Sequence, residues 1–267
     1  MAPKTTTPGE GNAPRPRWRK QTPDEVLRTF DRLRAMYPDA HCELDHASPF
    51  QLLVATVLSA QTTDVAVNKV TPVLFARYPT AGALAVAKAP DVERVVGALG
   101  FFRQKAKAIV GLAQQLVEAH GGQVPRTLEE LVKLPGVGRK TANVVLGVAF
   151  GAPEGVVVDT HVQRISQRLG WTKNKEPEKI EQDLCKLLPR EDWDMTAHLL
   201  IFHGRRTCFA AKPSCATCGV NDLCPSAFRA EQIGRKPGRT APPAPPRGGK
   251  KRAANTTRAG VTKKTKK

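Results

Sequence analysis

The segment Leu134-Pro-Gly-Val-Gly-Arg-Lys140 restricts the fold of this chain more than any other stretch. It lies between two segments whose apolar residues recur at helical spacing; Pro135 is expected to end the first helix, and the second is expected to begin at Arg139. Gly136 and Gly138 permit backbone conformations that other residues avoid, so peptide N–H groups can face outward at the start of the second helix. The pattern predicts two helices joined by a tight hairpin that can bind an anion.

A carboxylate follows this hairpin at a suggestive position. Asp159 comes directly after the apolar run 156–158 and precedes a predicted helix at 160–169. A carboxylate at the end of a buried apolar segment suits a catalytic site. Each feature also has an ordinary explanation, since the hairpin could be a mere connection, Lys140 a solvated surface lysine and Asp159 a helix N-cap. These two residues alone leave both interpretations open.

The rest of the pattern predicts an all-α protein. Aromatic residues make up only 5% of the chain, and short amphipathic patterns follow one another without the alternation of a strand. Thr22 and Pro23 are typical of a helix start, Asp64 is expected to cap a later helix, and Pro72 is expected to kink or divide that helix. In Gly100-Phe101-Phe102 the two rings are expected to point in different directions, with one in the core. The segments with helical patterns are 22–37, 50–60, 64–74, 83–87, 91–98, 103–120 and 163–203.

The formal net charge of +18 is concentrated at the two ends of the sequence. Residues 235–267 contain twelve basic residues and no acidic one, and residues 1–20 contain five basic residues and one acidic one. The intervening 21–234 is almost neutral, with 25 basic and 23 acidic residues. A neutral body with basic ends favours a polyanion partner, because each neutralised phosphate releases counterions. A solubilising tail is the alternative.

No apolar run of membrane-spanning length and no secretory signal occurs in the sequence. We therefore expect an intracellular protein without a membrane partner.

Four cysteines are crowded into one short, turn-rich loop with the spacing C-x6-C-x2-C-x5-C. Four thiolates in one loop need a cation, and both zinc and a four-iron cluster satisfy that need. The single C-x2-C unit favours iron–sulfur over zinc, and a disulfide pair is the third alternative. Cys185 is expected to be a buried apolar residue, and Cys42, although close to two histidines in sequence, lacks a full set of metal ligands. The loop cysteines are Cys208, Cys215, Cys218 and Cys224.

Three motifs together resemble the endonuclease III family of DNA base-excision glycosylases. They are the hairpin Leu134–Ala142, the segment Val158-Asp-Thr-His-Val162 and the four-cysteine loop, in this order. The resemblance covers about 22–226. It implies an all-α helix-hairpin-helix DNA glycosylase fold in which two helical domains flank a DNA cleft. It also implies a [4Fe-4S] cluster held by the four loop cysteines.

The resemblance implies domain boundaries and a cellular setting as well. We expect a monomer that binds double-stranded DNA carrying a damaged pyrimidine or an abasic site, in the cytoplasm of a bacterium and associated with the nucleoid. The expected regions are a disordered basic arm at 1–20, a six-helix bundle with the hairpin at 43–152, a second helical domain made of 21–42 and 153–226 with the cluster loop, and a disordered basic tail at 227–267.

Residue roles follow from the same resemblance. It makes Lys140 the nucleophile and Asp159 the catalytic carboxylate. Lys140 must act as a neutral amine, which desolvation and the neighbouring Arg139 favour. Gln61 and Phe101 are expected to fill the gap left by an extruded nucleotide, and Phe101 stands where relatives usually have leucine. The residues expected to contact DNA are Gln61, Phe101, Gly136, Gly138, Arg139 and Lys212.

Two rival functions remain. An adenine-mismatch glycosylase of the same superfamily usually has serine at the position of Lys140 and a glutamate in the helix before Gln61, and segment 50–60 contains no glutamate. A non-catalytic protein could use the hairpin for phosphate and the cluster as a scaffold. His161 and His203 lack metal-like spacing, and we expect them to be structural or to face phosphate.

Overall fold

A computed structural model describes residues 19–234 of the chain. In that range every regular element is helical, which confirms the all-α prediction. The α-helices are α1 Pro23–Met36, α2 Pro49–Leu58, α3 Asp64–Arg77, α4 Ala81–Ala85, α5 Ala89–Val96, α6 Phe102–His120, α7 Leu128–Leu131, α8 Arg139–Phe150, α9 Thr160–Arg168, α10 Pro177–Leu187 and α11 Trp193–Arg206. Short 3-10 turns lie at Arg190–Asp192, Cys215–Thr217 and Ala230–Gln232.

Local sequence signals explain where several helices begin. Thr22 caps α1 through a capping box with Glu25, and Pro23 occupies the first turn. In α2 every residue from Leu52 to Leu58 is buried, as its uniformly apolar sequence predicts. Phe102 packs against the core while Phe101 is exposed, so the two adjacent rings do point in different directions.

Three local predictions were wrong. The N-cap of α3 is Thr63, whose hydroxyl accepts from the Ala66 backbone N–H, and Asp64 is the first helical residue. Pro72 lies on an exposed face inside α3 and does not divide the helix, so that alternative of the prediction was wrong. The helix before the hairpin ends at Leu131 rather than at Pro135.

Buried apolar side chains form two clusters, and α8 lies between them. The first cluster draws on α2 to α8, and the second draws on α1 and α9 to α11. Val144, one turn after Lys140, packs against both clusters. The hairpin therefore places the start of α8 at the junction of the two clusters, and the domain boundaries proposed from the sequence stay a prediction.

The ends of the described range bear on the predicted basic segments. Residues 1–18 and 235–267, which hold most of the predicted arm and tail, lie outside the described residues. The predicted tail begins too early at 227, because Ala230 is buried and the carbonyl of Ile233 accepts from Arg168 Nε at 2.9 Å.

No helix in the 19–234 range is long and apolar enough to cross a membrane.

Candidate active site

The hairpin before α8 uses its two glycines for different purposes. Gly136 has φ of +76°, and a Cβ there would lie 3.2 Å from side-chain atoms of Val57 and Ala108. Gly138 is the N-cap of α8 with φ −97° and ψ 174°, a conformation open to any residue. A Cβ on Gly138 would meet no atom within 4 Å. Of the two hairpin glycines, Gly136 uses a backbone conformation that other residues avoid, whereas Gly138 does not.

Among the residues that the structure describes, no side chain caps the N-terminus of α8. The first backbone N–H groups of the helix therefore lack the usual side-chain acceptor, beside an open surface at Gly138. Such a helix start attracts anions, since its N–H groups and the helix dipole carry partial positive charge.

Lys140 and Asp159 line one cavity of about 110 Å³. Lys140 is the second residue of α8 and is exposed, while Asp159 is half-buried at the start of α9. The structure thus brings together the two residues that the sequence separates by eighteen others. A solvent-exposed lysine at the edge of a cavity can reach a substrate placed inside it.

Asp159 serves as the N-cap of α9 through one carboxylate oxygen, and the other oxygen makes no capping bond. Its Oδ1 accepts from the backbone N–H of His161 at 2.7 Å and of Val162 at 2.8 Å. Its Oδ2 has no hydrogen-bond partner among residues 19–234. The capping bonds fix the orientation of the carboxylate, so the structural interpretation and the catalytic one are compatible.

A second carboxylate, Asp64, lines the same cavity and was not singled out as a site residue from the sequence. Arg205 on α11 donates to Asp64 Oδ2 at 3.0 Å and also pairs with Glu43. Burial raises the pKa of Asp64, Lys140 acts in the opposite direction, and the charge of Asp159 raises it further. The position of Asp64 next to the Gln61-Thr-Thr turn was the signal that could have identified it.

Arg139 is held by a protein carboxylate. Its Nε and Nη2 donate to the two oxygens of Glu181 at 2.9 and 2.8 Å, and Asn143 Nδ2 donates to the same carboxylate at 3.3 Å. Glu181 is 8% exposed and lies on α10, so this pair fastens the first turn of α8 to the second cluster. The predicted contact of Arg139 with DNA would have to use the parts of its guanidinium that Glu181 leaves open.

Gln61, Phe101 and Lys212, predicted to contact DNA, all adopt left-handed backbone conformations. Their φ values are 53°, 57° and 50°. All three side chains are exposed, and Phe101 is 61% exposed. Such a conformation costs a non-glycine residue on the order of 1 kcal/mol or more, and it is common at functional sites. Phe228, with φ of 62°, is the fourth such residue between 19 and 234 and was not predicted.

The four loop cysteines line a single apolar cavity with Arg168 and His203. None of the six cysteines forms a disulfide, which disfavours that alternative. Burial raises the pKa of Cys224 to about 12, and burial also raises the pKa of Cys218, so these thiols would ionise only beside a cation. Within 19–234, however, no group of three or more His, Cys, Asp or Glu side chains is placed as metal ligands.

Arg168, which sequence reasoning missed, organises the start of the cysteine loop. Its guanidinium is almost fully buried and donates to the Cys208 Sγ at 3.3 Å and to the carbonyls of Phe209 and Ala210 at 2.7 and 3.0 Å. Arg164, one turn earlier on α9, donates to the Gly204 carbonyl at 2.9 Å. Two arginines four positions apart, and therefore on one face of α9, were the available signal.

The remaining cysteines and the two histidines of the sequence prediction are all at least partly buried. His203 is buried and bonds to Tyr37 Oη at 2.9 Å, as a structural histidine would. Burial lowers the pKa of half-buried His161. Cys185 is partly buried against the second cluster, and Cys42 lines the cavity that contains Lys140.

Comparison with known proteins gives consistent matches. The family model described as HhH-GPD superfamily base excision DNA repair protein matches residues 54–190. Endonuclease III of Synechocystis sp. is 54% identical over 209 residues, which cover 78% of this chain and 94% of that protein. Endonuclease III of Escherichia coli is 43% identical over 198 residues, which cover 74% of this chain and 93% of that protein.

A solved structure of a trapped endonuclease III–DNA covalent intermediate is also similar. It superposes with a TM-score of 0.73 at 44% identity, over 79% of this chain and 98% of that one. A thermostable thymine-DNA glycosylase, at 22% identity and a TM-score of 0.69, shares the fold.

Proposed function

Because this chain belongs to the endonuclease III family of HhH-GPD base excision DNA repair proteins, we propose that Lys140 and Asp159 are its catalytic residues. The enzyme is a DNA N-glycosylase and abasic-site lyase. The observation that carries the residue assignment is that Lys140 and Asp159 line one cavity at the junction of the two apolar clusters.

The neutral amine of Lys140 attacks C1′ of the damaged nucleotide, and the bond from C1′ to the base breaks. The amine and the opened sugar then form a Schiff base. Loss of a proton from C2′ breaks the C3′–O3′ bond by β-elimination, which cuts the strand on the 3′ side of the lesion. Lys140 thus supplies nucleophilic catalysis and serves as the electron sink of the lyase step.

Asp159 assists at the first step. Its Oδ2, which has no partner in the described range, can accept a proton from the amine or stabilise positive charge developing on the sugar. Because Oδ1 is fixed by two backbone N–H groups, the carboxylate is held ready before the substrate arrives.

DNA recognition uses the hairpin and the exposed left-handed residues. The open surface at Gly138 and the uncapped start of α8 suit a backbone phosphate. Gln61 and Phe101 project from separate turns and suit the gap left when a nucleotide is extruded, a step that costs a few kcal/mol. Lys212, exposed on the cysteine loop, suits a contact with a backbone phosphate. We infer double-stranded DNA with an oxidised or ring-damaged pyrimidine, or with an abasic site, as the substrate.

We also propose that the four loop cysteines hold a [4Fe-4S] cluster. The set of donors fits, since four unpaired thiols line one apolar cavity beside the buried cation Arg168. The cluster would fasten the loop that carries Lys212. A broad visible absorbance of the purified protein supports iron, whereas a colourless protein containing zinc would contradict it.

Neither rival function is favoured. Lys140 stands where an adenine-mismatch glycosylase usually has serine. A relative at 44% identity has been trapped in a covalent intermediate with DNA, which a binding protein without catalysis would not form. The predictions of a monomer and of association with the nucleoid stay predictions.

Borohydride trapping on DNA with an abasic site tests the assignment. Wild-type protein is expected to form a covalent adduct, and Lys140→Gln is expected to form none. Lys133→Gln is the matched control, because Lys133 is an exposed lysine outside the cavity that pairs with Glu129. An adduct of undiminished yield with Lys140→Gln would refute the role of Lys140.

A further inference from the structure

Lys105 is a buried cation that the proposed mechanism does not use. It lies in the first turn of α6, is 6% exposed, and its Nζ donates to the hydroxyl of Thr62. No carboxylate pairs with it in the part of the chain that the structure describes, and its other two N–H donors have no partner there. Burial opposes the charged form of this amine and lowers the pKa of Lys105.

The contacts of Lys105 connect the two turns that carry Gln61 and Phe101. Its side chain reaches Thr62, the neighbour of Gln61, and its backbone N–H donates to the Phe101 carbonyl at 3.0 Å. Thr62 in turn is held by its backbone N–H, which donates to the Ser59 carbonyl at 3.0 Å. One residue is therefore bonded to both turns, which are about forty positions apart in the sequence.

Both turns need such support. Gln61 and Phe101 have positive φ, and neither exposed side chain is fixed by packing. A residue in this conformation stays there only when its surroundings hold it. The bond from Lys105 to Thr62 links the turn of Gln61 to the first turn of α6, whose N-cap is Phe101.

We propose that Lys105 is a positioning residue that fixes the separation of Gln61 and Phe101, so that both side chains enter the duplex together when a nucleotide leaves the stack. This inference rests on the proposed function, because it concerns the gap that extrusion creates. It assigns Lys105 no contact with DNA and no part in the chemistry.

The test uses two substitutions that break the same bond from opposite sides. Lys105→Met keeps the length and apolar stem of the side chain, and Thr62→Val keeps the branched shape but removes the acceptor. Lys107→Met is the control, since it removes one charge from an exposed position on the same helix. The probe is a duplex with a tetrahydrofuran abasic-site analogue opposite 2-aminopurine, whose fluorescence rises when the opposite base loses its stacking partners.

Wild-type protein and Lys107→Met are expected to give the full fluorescence increase. Lys105→Met and Thr62→Val are each expected to lose most of it and to bind the analogue duplex about tenfold more weakly, with unchanged affinity for undamaged duplex. The double variant is expected to be no worse than either single variant, because both remove one interaction. Borohydride trapping on a single-stranded abasic substrate, where no stacked partner is displaced, should be unaffected.

Several outcomes would overturn the inference. A full fluorescence increase with Thr62→Val would do so even if Lys105→Met failed to fold. Equal losses of affinity for damaged and undamaged duplex with Lys105→Met would instead indicate a direct phosphate contact. If wild-type protein forms the Schiff base but Lys105→Met behaves as wild type, only this inference fails. If wild-type protein gives neither a borohydride adduct nor a fluorescence increase, the proposed function fails together with this inference.

Discussion

Replacing each hairpin glycine with alanine separates what the fold needs from what DNA needs. At Gly136 the new Cβ would be 3.2 Å from both Val57 and Ala108, in a left-handed conformation. The conformation alone costs about 1–2 kcal/mol for a residue with a Cβ. At Gly138 the backbone is extended and the space is open, so alanine is expected to stabilise the free protein by about 0.4–1 kcal/mol through its less flexible unfolded state.

The loss of DNA affinity is expected to be larger for Gly138→Ala than for Gly136→Ala, although the loss of stability is larger for Gly136→Ala. A methyl group on Gly138 occupies the open surface beside the first N–H groups of α8, where a phosphate would approach. Losing one hydrogen bond to a charged group costs about 1.5–3 kcal/mol, which is roughly a ten- to hundredfold increase in Kd. Gly138→Ala should therefore be at least as stable as wild type and bind poorly.

Urea unfolding and fluorescence anisotropy with an abasic-analogue duplex measure the two quantities on the same protein. Gly136→Ala is the paired variant, with reduced stability and, in the fraction that is folded, a smaller loss of affinity. Normal affinity with Gly138→Ala would refute the assignment of a phosphate to this surface. A loss of stability at Gly138 that equals the loss at Gly136 would refute the geometric argument.

Three further predictions concern other charged groups. Asp159→Asn is expected to lower single-turnover cleavage by orders of magnitude while Kd and stability change little, because asparagine also caps helices well; a parallel loss of binding would contradict the catalytic role. The raised pKa of Asp64 favours its protonated form in the folded protein. The stabilisation that the protonated Asp64 carboxyl provides is therefore fully present below its pKa in the unfolded chain, about 3.9. It is lost as the pH rises through the pKa of Asp64 in the folded protein. Urea unfolding should show that the free energy of unfolding of wild type rises relative to that of Asp64→Asn as the pH falls from 7 to 4. The opposite trend would mean that the ion pair with Arg205 outweighs the effect of burial on Asp64. Truncation after Gly234 removes twelve basic residues and should flatten the salt dependence of non-specific DNA binding measured by anisotropy, so an unchanged slope would dismiss the tail as a DNA contact.

Apolar periodicity and cap residues were sufficient to predict most of the helices. Thr22, Pro23 and the uniformly apolar α2 behave as local rules require. The failures at Asp64 and Pro72 have a common origin, because both depend on neighbours that periodicity does not report. Thr63 rather than Asp64 is the N-cap of α3, and Pro72 lies on the exposed face of that helix.

The sequence named candidate site residues, whose roles stay predictions, but it did not indicate their contacts. Motif spacing pointed to Lys140 and Asp159, which line one cavity. No sequence pattern indicated that Glu181 binds Arg139 or that Arg205 binds Asp64, since each pair joins segments far apart in the chain. Pairing across such distances depends on how helices pack, which local propensity does not encode.

The left-handed backbone at Gln61, Phe101 and Lys212 has a consequence for protein engineering. Glycine at each position would relieve the conformational cost and, after its own greater chain entropy is deducted, raise stability by up to about 1 kcal/mol. A library selected only for heat resistance would therefore accumulate glycine at these positions and lose the side chains proposed to grip DNA. Selection for thermostability is expected to favour glycine at these three positions, and selection for repair is expected to favour the present side chains.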